Sequence, residues 1–287
     1  MKATVRGCRG SLAAPGPDTV TYGGNTACLA LRLADDTPLI LDAGTGIRLL
    51  GVELARAFPR PIHILLTHLH LDHIEGLGLF APIWMPKTEL HIWGPPSPVA
   101  SLAERIARYF SPPLFPLQLS EVPAQVVCHD LPTEEFRLGS ATVLAQPVTH
   151  RGPTVGVRID DADRSLAYLP DHEPYLGFAP EEVETNWLSG YALAAEVGTL
   201  VHDAQYSEAE YPERRGFGHS SVAHAVAFAR AVNAGQLVLF HHDPLHSDHE
   251  LETLEARAKE LWADESMPPQ LARDGMQLEL PARLASW

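Results

Sequence analysis

The chain has 287 residues, 45% of them hydrophobic, which is enough apolar material for a large buried core and argues against disorder. Its formal charge is −15, from 36 acidic and 21 basic residues without a visible Lys/Arg cluster, so long-range attraction to phosphate polymers is disfavoured. Three cysteines, Cys8, Cys28 and Cys128, have no metal-like spacing and form no disulfide framework; they read as small apolar residues of a reducing compartment.

The amino-terminal stretch "MKATVRGCRGSLAAPGPDTV" lacks the apolar core of a secretory signal, and no run approaches the roughly 20 apolar residues that span a bilayer, so a cytoplasmic location without membrane contact is expected. "TACLALRLA" (26–34) and "PLILDAG" (38–44) read as strands joined by the polar turn Asp35-Asp36, and "PIHILLTH" (61–68) as another strand. The region 82–123 holds many of the 25 prolines and reads as an irregular excursion, either a surface loop or a wall over a pocket. Within it, "ASLAERIARYF" (100–110) carries Leu102, Ile106 and Tyr109 at helical spacing.

"TVGVRI" (154–159) and "SLAYLP" (165–170) form an expected hairpin around "DDADR", and "TLVHDAQY" (199–206) is a further strand. "SSVAHAVAFARAVNAG" (220–235) has a serine cap, one apolar face through Val222, Val226, Ala229 and Val232, and a stop at Gly235. "QLVLFHH" (236–242) is the next strand; a last helix starts at Ser247 with Glu250 completing a capping box and runs through Leu251, Leu254 and Leu261. Nothing marks a second domain, so residues 1–287 are expected to form a single layered α/β domain with mixed sheets covered by helices.

The segment "LLTHLHLDHIEGL" (65–77) places His68, His70, Asp72 and His73 on one turn at a strand end. Imidazole and carboxylate suit Zn²⁺ and also Mn²⁺ or Fe²⁺, and four side chains so close in sequence serve two adjacent ions better than one tetrahedral ion. Further ligands belong at the ends of other strands, where His150 in "PVTHRGPTVG", Asp171 in "AYLPDHEP" and His241 or His242 in "VLFHHDP" are the candidates.

Taken together, these stations resemble the metallo-β-lactamase superfamily, whose signature His-x-His-x-Asp-His is followed by a histidine, an aspartate and a final histidine in the order found here. The likeness runs from "GCRGS", "YGGNT" and "ILDAGTGIR" to "HHDPLHSD". It is greatest to the branch of ribonuclease Z and the cyclic phosphodiesterases, on the grounds of Asp171, "HDAQY" (202–206) and "GHSS" (218–221). The resemblance implies a four-layer αββα sandwich and two divalent metal ions, Zn²⁺ foremost. His68, His70 and His150 would hold the first ion, Asp72, His73 and His241 the second, and Asp171 would bridge them. His241 is preferred to His242, which is left to orient a ligand.

Two cations roughly 3.5–4 Å apart make hydroxide available from a shared water near neutral pH and neutralise a phosphoryl oxygen. Asp72 would also orient that hydroxide, and His219, oriented by Asp203, would serve as the acid. The expected activity is a metal-dependent hydrolase acting on a small phosphodiester, cyclic ones included; a lactonase, a thioesterase or a non-catalytic ligand sensor are the alternatives. Bacterial ribonuclease Z carries a basic arm between its third histidine and bridging aspartate. Here only "RGPTVGVRIDDADRSLAYLP" stands there, which with the negative charge makes structured tRNA an unexpected partner. Related proteins are often homodimers.

Overall fold

The computed structural model describes residues 1–57, 61–262 and 267–282. Its first sheet takes β1 (Lys2–Gly7), β2 (Cys28–Arg32), β3 (Pro38–Leu41), β4 (Ile62–Leu65), β5 (Glu89–Gly94) and β6 (Gln125–Asp130). The second takes β7 (Phe136–Leu138), β8 (Ala141–Pro147), β9 (Val155–Asp161), β10 (Arg164–Leu169), β11 (Thr199–Asp203), β12 (Leu237–Phe240) and β13 (Gln270–Leu271), while β14 (Gln277–Leu278) returns to the first. The strand orders are β14-β1-β2-β3-β4-β5-β6 and β13-β12-β11-β10-β9-β8-β7.

Each sheet is antiparallel at one side and parallel at the other. β1 to β3 are antiparallel and β3 to β6 parallel; β7 to β10 are antiparallel and β10 to β13 parallel. Strand periodicity sorts the side chains. Leu39 and Leu41 enter the core between the sheets while Ile40 faces out, and Leu166 and Tyr168 enter it from the other side while Ala167 and Leu169 face out.

Helices cover both outward faces. α1 (Ile47–Arg56), α2 (Leu71–Ile74) and α3 (Leu102–Ala107) pack Ile47, Leu50, Ile74, Leu102 and Ile106 on the first sheet. α4 (Tyr191–Ala194), α6 (Val222–Ala231) and α7 (Asp248–Trp262) cover the second, with the short α5 (Tyr211–Arg214) lying before α6. The order is therefore α, β, β, α, as expected.

Local signals hold where a cap or turn specifies them. The Ser247 hydroxyl and Glu250 cap α7 reciprocally, and Ser221 accepts from the His224 N–H at the start of α6. β9 and β10 form the hairpin around residues 162–163. Other expectations need correction. α6 stops at Ala231, well before Gly235, because Asn233 takes a left-handed conformation (φ 54°). The segment 82–123 is not irregular throughout: it supplies β5, paired on both sides, and α3 with its Ser101/Glu104 cap. Tyr109 from this segment donates to the Glu75 carbonyl at 2.7 Å, so it braces the turn after α2. Among the described residues no helix is long and apolar enough to cross a membrane.

A candidate two-metal centre

The site forms where strands of both sheets end together. His68 lies just past β4, Asp72 and His73 are in α2, His150 follows β8, Asp171 follows β10 and His241 follows β12. Short apolar strands thus deliver polar side chains to one rim without breaking a ladder. His68, Asp72, His73, Asp171 and His241 are buried, His150 is half-buried and His70 exposed.

Two sets of donor atoms converge. In the first, Nε2 of His150 lies 3.4 Å from Nδ1 of His70, and Oδ2 of Asp171 lies 3.6 Å from Nε2 of His68 and 3.6 Å from Nε2 of His150. In the second, Nε2 of His73 is 3.2 Å from Oδ2 of Asp72 and 3.4 Å from Nε2 of His241, which is 3.2 Å from the same Asp72 oxygen. Oδ1 of Asp171 is 3.1 Å from His73 Nε2 and 3.3 Å from His241 Nε2. Metal–nitrogen and metal–oxygen bonds of about 2.0–2.2 Å in a tetrahedron give edges of about 3.3–3.6 Å, so these spacings fit a cation in each set.

Two further observations favour that fit. His68 Nε2 is buried without a hydrogen-bond partner, a costly state of about 1–3 kcal/mol unless a cation takes its lone pair. The surrounding residues also orient the rings. Asp42, fully buried, accepts from His73 Nδ1 (2.8 Å), the Thr67 N–H (2.8 Å) and the Tyr168 hydroxyl (3.1 Å). The Gly218 carbonyl accepts from His150 Nδ1 (2.8 Å), and Gln205 Oε1 from His241 Nδ1 (3.1 Å). Each leaves the other ring nitrogen facing the cluster, the usual support of a ligating histidine.

The electrostatics suit ligation. Burial opposes charge on Asp171 and Asp72, yet the histidines outweigh it, His241 foremost for Asp171 and His73 for Asp72, and both carboxyls stay well below the ordinary range. Burial together with His73 holds His68 well below its usual value, and burial lowers His150 against the pull of Asp171, so both are neutral donors. His73 is the exception: burial would depress it, but Asp171, Asp72 and Asp42 raise it well above the histidine range.

Beside the cluster, His219 stacks on His241 (ring centres 4.9 Å apart) and donates from Nδ1 to Asp203 Oδ2 at 2.7 Å. Asp203 is locked by the N–H groups of Gln205 and Ser220 on Oδ1. Burial works against an imidazolium here, but the Asp203 carboxylate prevails and lifts His219 to about 9. In the cation-free protein this raised value stabilises the fold fully below the unfolded histidine pKa of about 6.5, and the contribution fades as pH climbs to about 9. Urea denaturation in chelator should therefore show the stability gap between wild type and His219→Gln shrinking by on the order of 3 kcal/mol from pH 6 to 9.5. A gap that does not change with pH removes the Asp203 pairing as its source.

A sequence model of the family described as "Beta-lactamase superfamily domain" matches residues 37–242. The chain belongs to the metallo-β-lactamase superfamily. Within it, ribonuclease Z of Mycobacterium sp. (strain KMS) is 30% identical over 258 residues, covering 80% of this chain and 81% of that protein, which places the chain in the ribonuclease Z-like branch. Zn²⁺-bound PqqB from Methylobacterium extorquens superposes with a TM-score of 0.69 at 16% identity, over 98% of this chain and 100% of that one. A diphosphatase of the PhnP family gives 0.68 at 19% identity, over 99% of each chain. These superfamily structures share the fold. The ribonuclease Z relationship does not fit the expectation that structured tRNA is an unlikely partner, an inference that rested on net charge and on a missing arm.

The seven ligand candidates of the superfamily signature, His68, His70, Asp72, His73, His150, Asp171 and His241, come together, and Asp203 meets His219. His242 does not join them: its Nε2 bonds the Ala272 carbonyl at 2.8 Å, and it is Gln205 rather than His242 that steadies the His241 ring. No described contact of the cluster comes from 82–123.

Sequence reasoning passed over several supports. Asp42 was signalled only by an acid ending the apolar run "PLIL". Glu173, buried beside His172, accepts from the N–H groups of Gly216 and Gly218 (2.8 Å each) and the Tyr211 hydroxyl (2.9 Å), which holds the loop that bears the Gly218 carbonyl. At Gly218 φ is +96° and a Cβ would come within 2.4 Å of His150 Nδ1, so glycine is required. In "GCRGS", the Ser11 N–H donates to Asp72 Oδ2 at 2.8 Å, and buried Arg9 ties the loop after His241 through the carbonyls of Asp243 (3.0 Å) and His246 (2.7 Å).

Proposed function

We propose that the protein is a dinuclear metal-dependent phosphodiesterase acting on small phosphodiesters, cyclic ones included, with Zn²⁺ the foremost metal and Mn²⁺ or Fe²⁺ compatible with the donors. The observation that carries this reading is Asp171, one oxygen of which completes each donor set. His68, His70 and His150 would hold one cation and Asp72, His73 and His241 the other. Two such cations would supply a hydroxide nucleophile at neutral pH and neutralise charge on a phosphoryl oxygen.

The chain's own residues do the rest. Asp72, with one oxygen fixed by the Ser11 N–H, orients the attacking group. His219, its Nδ1 held by Asp203, presents Nε2 as the acid that protonates the departing alkoxide, and its raised pKa keeps the proton available at neutral pH. The names of the ribonuclease Z relative and the diphosphatase neighbour agree with chemistry at phosphorus. A small substrate is favoured because the stretch between His150 and Asp171 is consumed by the β9–β10 hairpin. RNA is the second reading, and it rests on the ribonuclease Z relationship.

A metal-reconstituted screen over bis(p-nitrophenyl) phosphate, cyclic nucleotides, precursor tRNA, lactones and thioesters separates these readings. Turnover of small diesters is expected. Turnover of lactones or thioesters alone, or two bound metals with no turnover at all, overturns the phosphodiesterase reading.

His219→Ala should keep both metals. It should cost about 10²–10⁴-fold on a diester with an alkyl leaving group and far less on one that releases p-nitrophenolate. Equal losses on the two substrates exclude His219 as the acid.

A further inference from the structure

A second concavity lies on the outer face of the first sheet and shares no residue with the metal centre. Alternation along β1 turns Lys2, Thr4 and Arg6 outward, β2 adds Ala30 and Arg32, and α1 with the turn at 82–88 walls the space. The small side chains Thr4 and Ala30 leave a cavity of about 430 Å³, within the range that holds a small organic ligand.

Its lining is two-sided. Ile40, Leu50, Leu54, Ile62 and Met85 make a floor that is aliphatic rather than aromatic among the described residues. Four cations, Lys2, Arg6, Arg32 and Lys87, stand over two acids, Glu53 and Asp36, a local excess of positive charge in a chain of −15. Glu53 is paired with Arg6 at 2.6 Å and Asp36 with Arg32 at 3.9 Å, while Lys2 and Lys87 have no ion pair among the described residues. The Arg6 Nε is buried without a partner. A merely solvated sheet face would need neither the depth nor the concentration of cations against the trend of the chain.

We propose that this cavity binds an aliphatic carboxylate, the chain against Ile40 and Ile62 and the headgroup at the cationic rim to which Lys2 and Lys87 contribute. An aliphatic floor favours an acyl chain over a base or aromatic ring, which would call for stacking partners. Unpaired ammonium groups at the rim select the anion over the alcohol.

Calorimetric titration of the full-length protein with hexanoate, octanoate and decanoate tests it. One site per chain is expected, tightening up to about fourfold per added CH₂. Lys2→Glu combined with Lys87→Glu should weaken octanoate roughly tenfold and leave octan-1-ol unchanged. Ala30→Phe should fill the cavity and abolish binding, and the two lysine replacements, both on the exposed surface, supply the answer if that variant does not fold. Absence of saturable binding, octan-1-ol binding as tightly as octanoate, or octanoate binding that survives both sets of replacements, as coordination at the metal centre would, overturns the proposal.

Discussion

Replacing Asp171 with alanine is expected to abolish binding of the proposed metal ions and reduce the proposed phosphodiester turnover by at least ~10³-fold, beyond the 10–100-fold typical when only an outer partner of a ligand is lost. The reason is geometric. Oδ2 closes the set of His68 and His150, and Oδ1 closes the set of His73 and His241, so one truncation opens both. It also leaves the centre with Asp72 as its remaining carboxylate ligand, and less negative charge to hold two dications together. Metal analysis after dialysis, alongside rates on bis(p-nitrophenyl) phosphate, reads both effects. Two metals per chain retained in the variant would sink the bridging role.

The second large effect is expected at Asp42, which touches neither proposed cation. Its carboxylate takes His73 Nδ1, the Thr67 N–H and hydroxyl, and the Tyr168 hydroxyl, all in a fully buried pocket. Asp42→Ala removes one partner of a buried charged network and should cost about 3–5 kcal/mol of stability. Alanine also tolerates the φ of 58° at this position less well than aspartate does. With its Nδ1 tether gone, the His73 ring is no longer aimed, and Zn²⁺ affinity should fall about 10–100-fold. Urea denaturation and competition against a chromophoric chelator measure the two; a variant within 1 kcal/mol of wild type that binds Zn²⁺ normally would refute this account. Asp42→Asn keeps shape and φ preference and should be milder on both counts.

Much of the donor set was legible because its chemistry is local. "THLHLDH" concentrates imidazole and carboxylate beyond what packing requires, and His150, Asp171 and His241 each follow a strand-like apolar run. The hairpin of β9 and β10, and the capped starts of α6 and α7, were legible for the same reason: a turn or a serine cap is decided within a few residues. β5 was hidden because the prolines around it obscure "ELHIWG", whose regularity comes from pairing with β4 and β6. The early end of α6 was hidden too, since the left-handed Asn233 competes with Gly235 as a stop.

The sequence by itself determined which residue types gather at strand ends, in which order, and hence the superfamily and its layered fold. Only the tertiary structure decided how they are held: that His241, strained at φ 62°, faces the centre while His242 turns to Ala272, and that Asp42, Gln205 and the Gly218 carbonyl aim the rings. Those choices depend on contacts between residues far apart in the chain, such as His150 with Gly218 or Asp42 with Tyr168, and no local propensity encodes them. The cationic cavity on the first sheet has the same origin, because Lys2, Arg32 and Lys87 come to line one space only when β1, β2 and the turn before β5 come together.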